Sequence, residues 1–108
     1  MLATIPQKKD VKLEPPIAVG NEKGALGQNI PNPARVSTTV EYAIYIEGNV
    51  EIKLFNSFGQ LVETFSEGTK EVGIYSIEIP LSKIPEGFYH YTLYINGERV
   101  EAKSLVRY

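Results

Sequence analysis

From about residue 39 to the end of the chain, short runs in which apolar side chains recur at every second position are divided by turns, and no stretch carries the i, i+3, i+4 stripe of a helix. In residues 39–46, Val40, Tyr42, Ile44 and Ile46 share one face, with Thr39, Glu41 and Glu47 on the other. Val50, Ile52 and Leu54 then oppose Glu51 and Lys53, and residues 61–65 give a further short run. Tyr75, Ile77 and Ile79 oppose Ser76 and Glu78, and Tyr89, Tyr91, Leu93 and Ile95 repeat the alternation before residues 100–106 close the chain. Period two with β-branched and aromatic residues predicts antiparallel strands that each bury one face. Six or seven such strands in one small domain predict an all-β, two-sheet sandwich.

The breaks between runs carry turn chemistry. Asn96-Gly97 is a two-residue hairpin signal, because a type I′ turn needs positive φ at both central positions. Glu47-Gly48-Asn49 and Asn56-Ser57-Phe58-Gly59 supply residues that tolerate the left-handed region. Residues 82–87, with Pro85 among them, read as a bend from one sheet to the other. Residues 1–24 differ: they hold Pro6, Pro15, Pro16 and four lysines without periodicity, which reads as a linker ahead of a domain over residues 25–108. Within that linker Val11, Leu13 and Ile17 leave open a short edge strand instead.

Composition narrows the functions. Net charge is −2, with Lys and Arg scattered among glutamates, so no basic face for nucleic acid is expected. No apolar run is long enough for a membrane-spanning helix. The opening Met1-Leu2-Ala3-Thr4 lacks the layout of a secretory signal, which leaves a cytosolic protein or a piece whose signal lies upstream. Cysteine is absent, which excludes disulfides, zinc–thiolate sites and thiol nucleophiles. That absence suits a reducing compartment and an exported protein alike.

An enzyme is not expected. The sole histidine, His90, falls on the polar phase of its strand, and the sole aspartate, Asp10, lies in the linker, so a Ser-His-Asp triad has no frame. Glu41, Glu51, Glu63, Glu78 and Glu101 read as solvent-facing charges that discourage edge pairing rather than as paired catalytic carboxylates. No cofactor or metal site is expected. Phe88 and Tyr94, on the outward phase, are the candidate aromatic pair for sugar stacking; Tyr89 and Tyr91 share the core phase.

A set of short motifs runs in order to the chain end: Leu26-Gly27-Gln28-Asn29-Ile30-Pro31-Asn32-Pro33, Ser37-Thr38-Thr39-Val40, Asn56-Ser57-Phe58-Gly59, Gly87-Phe88-Tyr89 and Lys103-Ser104-Leu105-Val106. Two prolines withhold ladder donors, so the opening element is expected to run extended at a sheet edge. Gly87 allows a tight turn before a core tyrosine. In a regular strand Lys103 falls opposite Val100 and Ala102, which would present it outward.

Together these motifs resemble the type A C-terminal sorting domain of the type IX secretion system, over roughly residues 26–108. The sequence departs from that pattern at Ile30, where an aromatic is commoner, and at Asn56, where aspartate is usual. The resemblance implies an Ig-like antiparallel β-sandwich of about seven short strands, with no catalysis and no cofactor. Its implied partners are the translocon and its shuttle components, then a sortase-like surface peptidase. The route runs through the periplasm to the cell surface or beyond. On this reading Pro31, Asn32, Pro33, Gly87, Tyr89, Lys103, Leu105 and Val106 carry recognition. Cleavage is expected in an exposed tether across Gly20, Asn21, Glu22, Lys23, Gly24, Ala25, Leu26 and Gly27. The passenger is absent from these residues, as expected of a piece of a longer protein. Weak self-association through edge strands is a further expectation. The alternatives are an Ig-like accessory module binding carbohydrate or a protein, and a structural Ig-like domain of the flagellar-hook capping type, which shares the Gly-x-Tyr block.

Overall fold

The computed structural model describes residues 20–108; the possible strand at Val11, Leu13 and Ile17 lies outside them. Seven strands follow in chain order: β1 Gly24–Leu26, β2 Ser37–Ile44, β3 Gly48–Asn56, β4 Leu61–Lys70, β5 Gly73–Pro80, β6 Gly87–Ile95 and β7 Glu98–Arg107. One sheet has the order β1-β2-β5 and the other β4-β3-β6-β7, with antiparallel pairing throughout both. The expected all-β sandwich is what forms.

The alternation selects the core. Val40, Tyr42, Ile44, Ile79 and Leu81 from one side meet Val50, Ile52, Leu54, Tyr89, Tyr91, Leu93 and Ile95 from the other. Ile46 departs from the pattern: β2 ends at Ile44, and Ile46 is 39% exposed beyond it. Asn96 (φ 54°) and Gly97 (φ 80°) make the two-residue turn between β6 and β7. Residues 81–86 carry the chain from β5 in one sheet to β6 in the other. There the Tyr89 hydroxyl donates to the Pro85 carbonyl four residues upstream, the geometry of a tyrosine corner.

Two irregularities matter for function. In β4, register shifts opposite Val50/Glu51 and Leu54/Phe55 break the ladder twice. In β7 the pairing passes from Tyr94↔Arg99 to Leu93↔Glu101, leaving Val100 as an extra, buried residue. A bulge of this kind resets which side chains face inward. Beyond it, Glu101, Lys103 and Leu105 stand opposite Leu93, Tyr91 and Tyr89, the core-facing residues of β6.

Candidate functional site

Residues 30–34 cross from one sheet to the other. At Ile30 the chain still exchanges two hydrogen bonds with Thr39 of β2, both 2.9 Å. At Ala34 it has joined β7: the Ala34 N–H donates to the Val106 carbonyl (2.7 Å), and the Tyr108 N–H donates to the Ala34 carbonyl (2.8 Å). Pro31 and Pro33, each preceded by a cis peptide bond, have no N–H to offer another chain during the crossing. Between them the Asn32 side-chain oxygen accepts from the Val106 N–H at 3.0 Å.

Beneath the crossing lies a buried polar knot. Asn29 is 1% exposed, and its amide donates to the Pro31 carbonyl (3.0 Å) and to the Thr38 hydroxyl (3.1 Å). The Thr38 hydroxyl donates to the same Pro31 carbonyl at 2.8 Å. Gln28 ties the knot to the last strand, donating to Asn29 Oδ1 (2.7 Å) and to the Ser104 carbonyl (2.8 Å). Donors that would otherwise lose water are satisfied inside the fold, which makes the crossing a defined shape rather than a loose loop.

The other flank of β7 is the start of β6, with Gly87, Phe88 and Tyr89 opposite Arg107, Val106 and Leu105. Gly87 sits at φ 152°, which side-chain-bearing residues rarely adopt. Arg107 donates from Nε to the Leu81 carbonyl (2.9 Å), and the Arg35 guanidinium lies 4.9 Å from the centroid of the Tyr108 ring. The Pro-Asn-Pro, Gly-x-Tyr and terminal motifs therefore meet on a single strand end.

A model of the family described as "Secretion system C-terminal sorting domain" matches residues 29–107. The chain belongs to the type IX secretion C-terminal sorting domain family. No curated protein matches it. Among solved structures, the crystal structure of dimeric latent PorU from Porphyromonas gingivalis is similar, with 23% identity and a TM-score of 0.65. The match covers 78% of this chain and 9% of that one. At that identity the likeness shows the fold.

Of the residues expected to carry recognition by the secretion system, the sorting domain exposes Pro31, Asn32 and Pro33 and half-buries Gly87 and Val106. Tyr89 and Leu105 are core residues, 5% and 0% exposed. Lys103 is not presented outward, because the Val100 bulge turns it to the core side of β7. Its ammonium lies 3.3 Å from Glu101 Oε2, and its side chain is 24% exposed. The exposure expected across residues 20–27 is confined to Gly20 and Glu22; Gly24, Ala25, Leu26 and Gly27 are buried because β1 pairs with β2. Phe88 and Tyr94 do not form one platform. They stand six positions apart along β6, about 20 Å at strand rise, and the Lys53 ammonium covers the Tyr94 ring at 4.7 Å. Phe88 instead lines a shallow groove with Phe58, Val62 and Ile84.

Sequence reasoning missed the structural work of Gln28, Asn29, Thr38, Ala34 and Arg107. Asn29 was visible as part of a motif, but its burial was not, since an asparagine two residues after a glycine and two before a proline looks like any turn residue.

Proposed function

We propose that this sorting domain directs a passenger from the periplasm through the outer-membrane type IX translocon, and that the surface read on the way is the end of β7 with the Pro31-Asn32-Pro33 crossing strapped beside it. The observation that supports this is convergence: three motifs far apart in the chain meet at the end of β7, with Gly87-Phe88-Tyr89 paired to its residues 105–107 on one flank and the crossing joined to it by the Asn32–Val106 and Ala34–Val106 hydrogen bonds on the other. In this reading Pro31, Asn32, Pro33, Gly87 and Val106 are contacted by translocon or shuttle components. Tyr89 and Leu105 act by holding β6 and β7 in register, and Lys103 acts from the partly covered side of β7. The domain performs no chemistry and holds no cofactor. A sortase-like surface peptidase then removes it upstream of the fold, leaving the passenger at the cell surface or released, with the residues ahead of the sandwich serving as linker.

The test is delivery of a signal-peptide-bearing reporter fused to residues 20–108, in a host with this secretion system. A twin lacking residues 103–108 loses the buried Leu105 and so confounds folding with recognition. The informative twins are Asn32→Ala and Pro33→Ala, at exposed positions, with folding checked by circular dichroism. Surface delivery of the parent fusion, with folded twins held in the periplasm, is the expected result. Periplasmic retention of a folded parent fusion would overturn the reading.

A further inference from the structure

The first described residues are tied to the fold far more closely than a tether requires. The chain turns at Asn21, whose N–H donates to the Gly24 carbonyl (2.9 Å). Its side-chain oxygen accepts from the N–H groups of Lys23 (2.7 Å) and Gly24 (3.3 Å). Gly20 lies so close to Gly24 and Ala25 that a Cβ there would fall 2.1 Å from the Gly24 carbonyl oxygen. On one side β1 joins β2, with the Tyr45 N–H donating to the Lys23 carbonyl and the Gly27 N–H to the Glu41 carbonyl.

The outer side of β1 is a sheet edge, and its donors are taken by side chains. Asn21 takes the Gly24 N–H, and Glu101 of β7 takes the Leu26 N–H at 2.8 Å. Lys23 is paired with Glu98, also on β7. Glu101 is itself held by Lys103. For residues 21–26 the ties on this side run to the turn itself or to the last strand, while Gly27 is held besides by the Tyr91 hydroxyl of β6 at 2.8 Å.

A peptidase needs several consecutive residues extended and free of partners on both sides of the bond it cuts. Residues 21–27 are not free. We propose that residues 20–27 form a clasp that withholds the domain boundary from proteolysis while β7 is seated, with Glu101 as its anchor. Displacing or engaging β7 loosens the clasp and exposes bonds up to Gly27. With β7 seated, the bonds of residues 21–27 stay covered. This rests on the proposed processing for its biological meaning, and it links the two ends of the domain: the state of the terminal strand controls access to the cleavage region.

The clasp can be tested without the secretion machinery, because Lys23-Gly24 is a tryptic bond. The full 108-residue chain is digested with trypsin, and cleavage after Lys23 is timed against the same bond in a synthetic peptide of residues 16–30. Cleavage after Lys53, in the paired β3, reports global unfolding. The intact chain should resist at Lys23 under conditions that consume the peptide. Glu101→Ala should speed cleavage after Lys23 by about tenfold, the scale of a hydrogen bond to a charged acceptor, without matching acceleration after Lys53. Glu101→Gln, which keeps an acceptor oxygen, should restore most of the resistance. Cleavage at the peptide's rate in the intact chain overturns the clasp, and an unchanged Lys23 rate in a folded Glu101→Ala overturns its anchor. Should Glu101→Ala fail to fold, hydrogen exchange on the unaltered chain decides. A protected Leu26 amide supports the clasp, and exchange at the free-peptide rate refutes it. These outcomes leave the secretion reading standing or falling on its own reporter experiment.

Discussion

The two long sides of the sandwich are finished by different means. On the β1/β7 side, loop residues and side chains close the edges: Ala34 pairs with β7, Asn32 takes the Val106 N–H, and Glu101 takes the Leu26 N–H. On the β4/β5 side, two edge strands run in the open. Ten-residue β4 is exposed over most of its length, and Pro80 ends β5. That side is guarded rather than closed, by the two register breaks in β4, by Glu63 and Glu78, and by Gly68 at φ 81°. One side turns inward through Tyr42, whose hydroxyl donates to Glu67 of β4 at 2.5 Å; the other through Tyr91, whose hydroxyl donates to the Gly27 carbonyl at 2.8 Å. An edge closed by the domain's own motifs has a fixed shape that a partner can read. A guarded edge only has to avoid the wrong partner.

The largest expected effect that tests this contrast is in packing. Leu105→Ala on the closed side should cost about 2–5 kcal/mol, because a fully buried leucine leaves a cavity. Leu61→Ala on β4, 54% exposed, should change stability by no more than about 0.5 kcal/mol. Urea unfolding of both variants measures the difference, and comparable losses would remove the contrast.

Next come the tyrosine hydroxyls. Tyr91→Phe strands the buried Gly27 carbonyl and should cost about 1–3 kcal/mol, against about 0.5 kcal/mol for Tyr75→Phe, whose hydroxyl serves the solvent-facing Glu71 carbonyl. Burial pushes the Tyr91 hydroxyl well above its ordinary range. For Tyr42, burial and then the Glu67 hydrogen bond do the same. Both are protons held more tightly by the folded chain. Their contribution is fully present below about pH 10, where the unfolded tyrosine titrates, and is lost as pH rises through the folded values. Urea midpoints should therefore fall above that pH. Tyr91→Phe should remove the closed side's share of the fall and Tyr42→Phe the open side's share; a midpoint independent of pH in that window would contradict both.

The smallest effect concerns association. Replacing Glu63 by valine removes a guard from β4 and should shift sedimentation toward dimer at high concentration. The matching change on β7, Ser104→Val, should leave the chain monomeric, because the Ser104 carbonyl is already taken by Gln28. Equal association by both variants would mean that closure by side chains protects no better than charge.

Much of this was legible in the chain. The core residues of β2, β3, β5 and β6 follow from alternation alone, since each strand there is regular. The two-residue turn at Asn96-Gly97 followed from the φ that its residues tolerate. β7 was misread because a bulge adds one residue without leaving a mark in the pattern, and every later side chain then changes face. Lys103 was displaced by that single shift. The clasp was misread for a different reason. Residues 20–27 carry the glycines of a loose tether, but Gly20 and Gly24 are needed for close backbone approach, which composition does not distinguish from flexibility.

By itself the sequence determined the class of fold, the turns and the ordered motifs that place the chain among sorting domains, because each rests on local geometry: a period, a φ preference, a missing N–H. Only the tertiary structure decided that Asn32 and Val106, 74 residues apart, share a hydrogen bond, that Leu105 is core and that Glu101 anchors β1. Those facts depend on which edges meet when two sheets close over one core, and on where a ladder slips by one residue. Neither is a property of any segment taken alone.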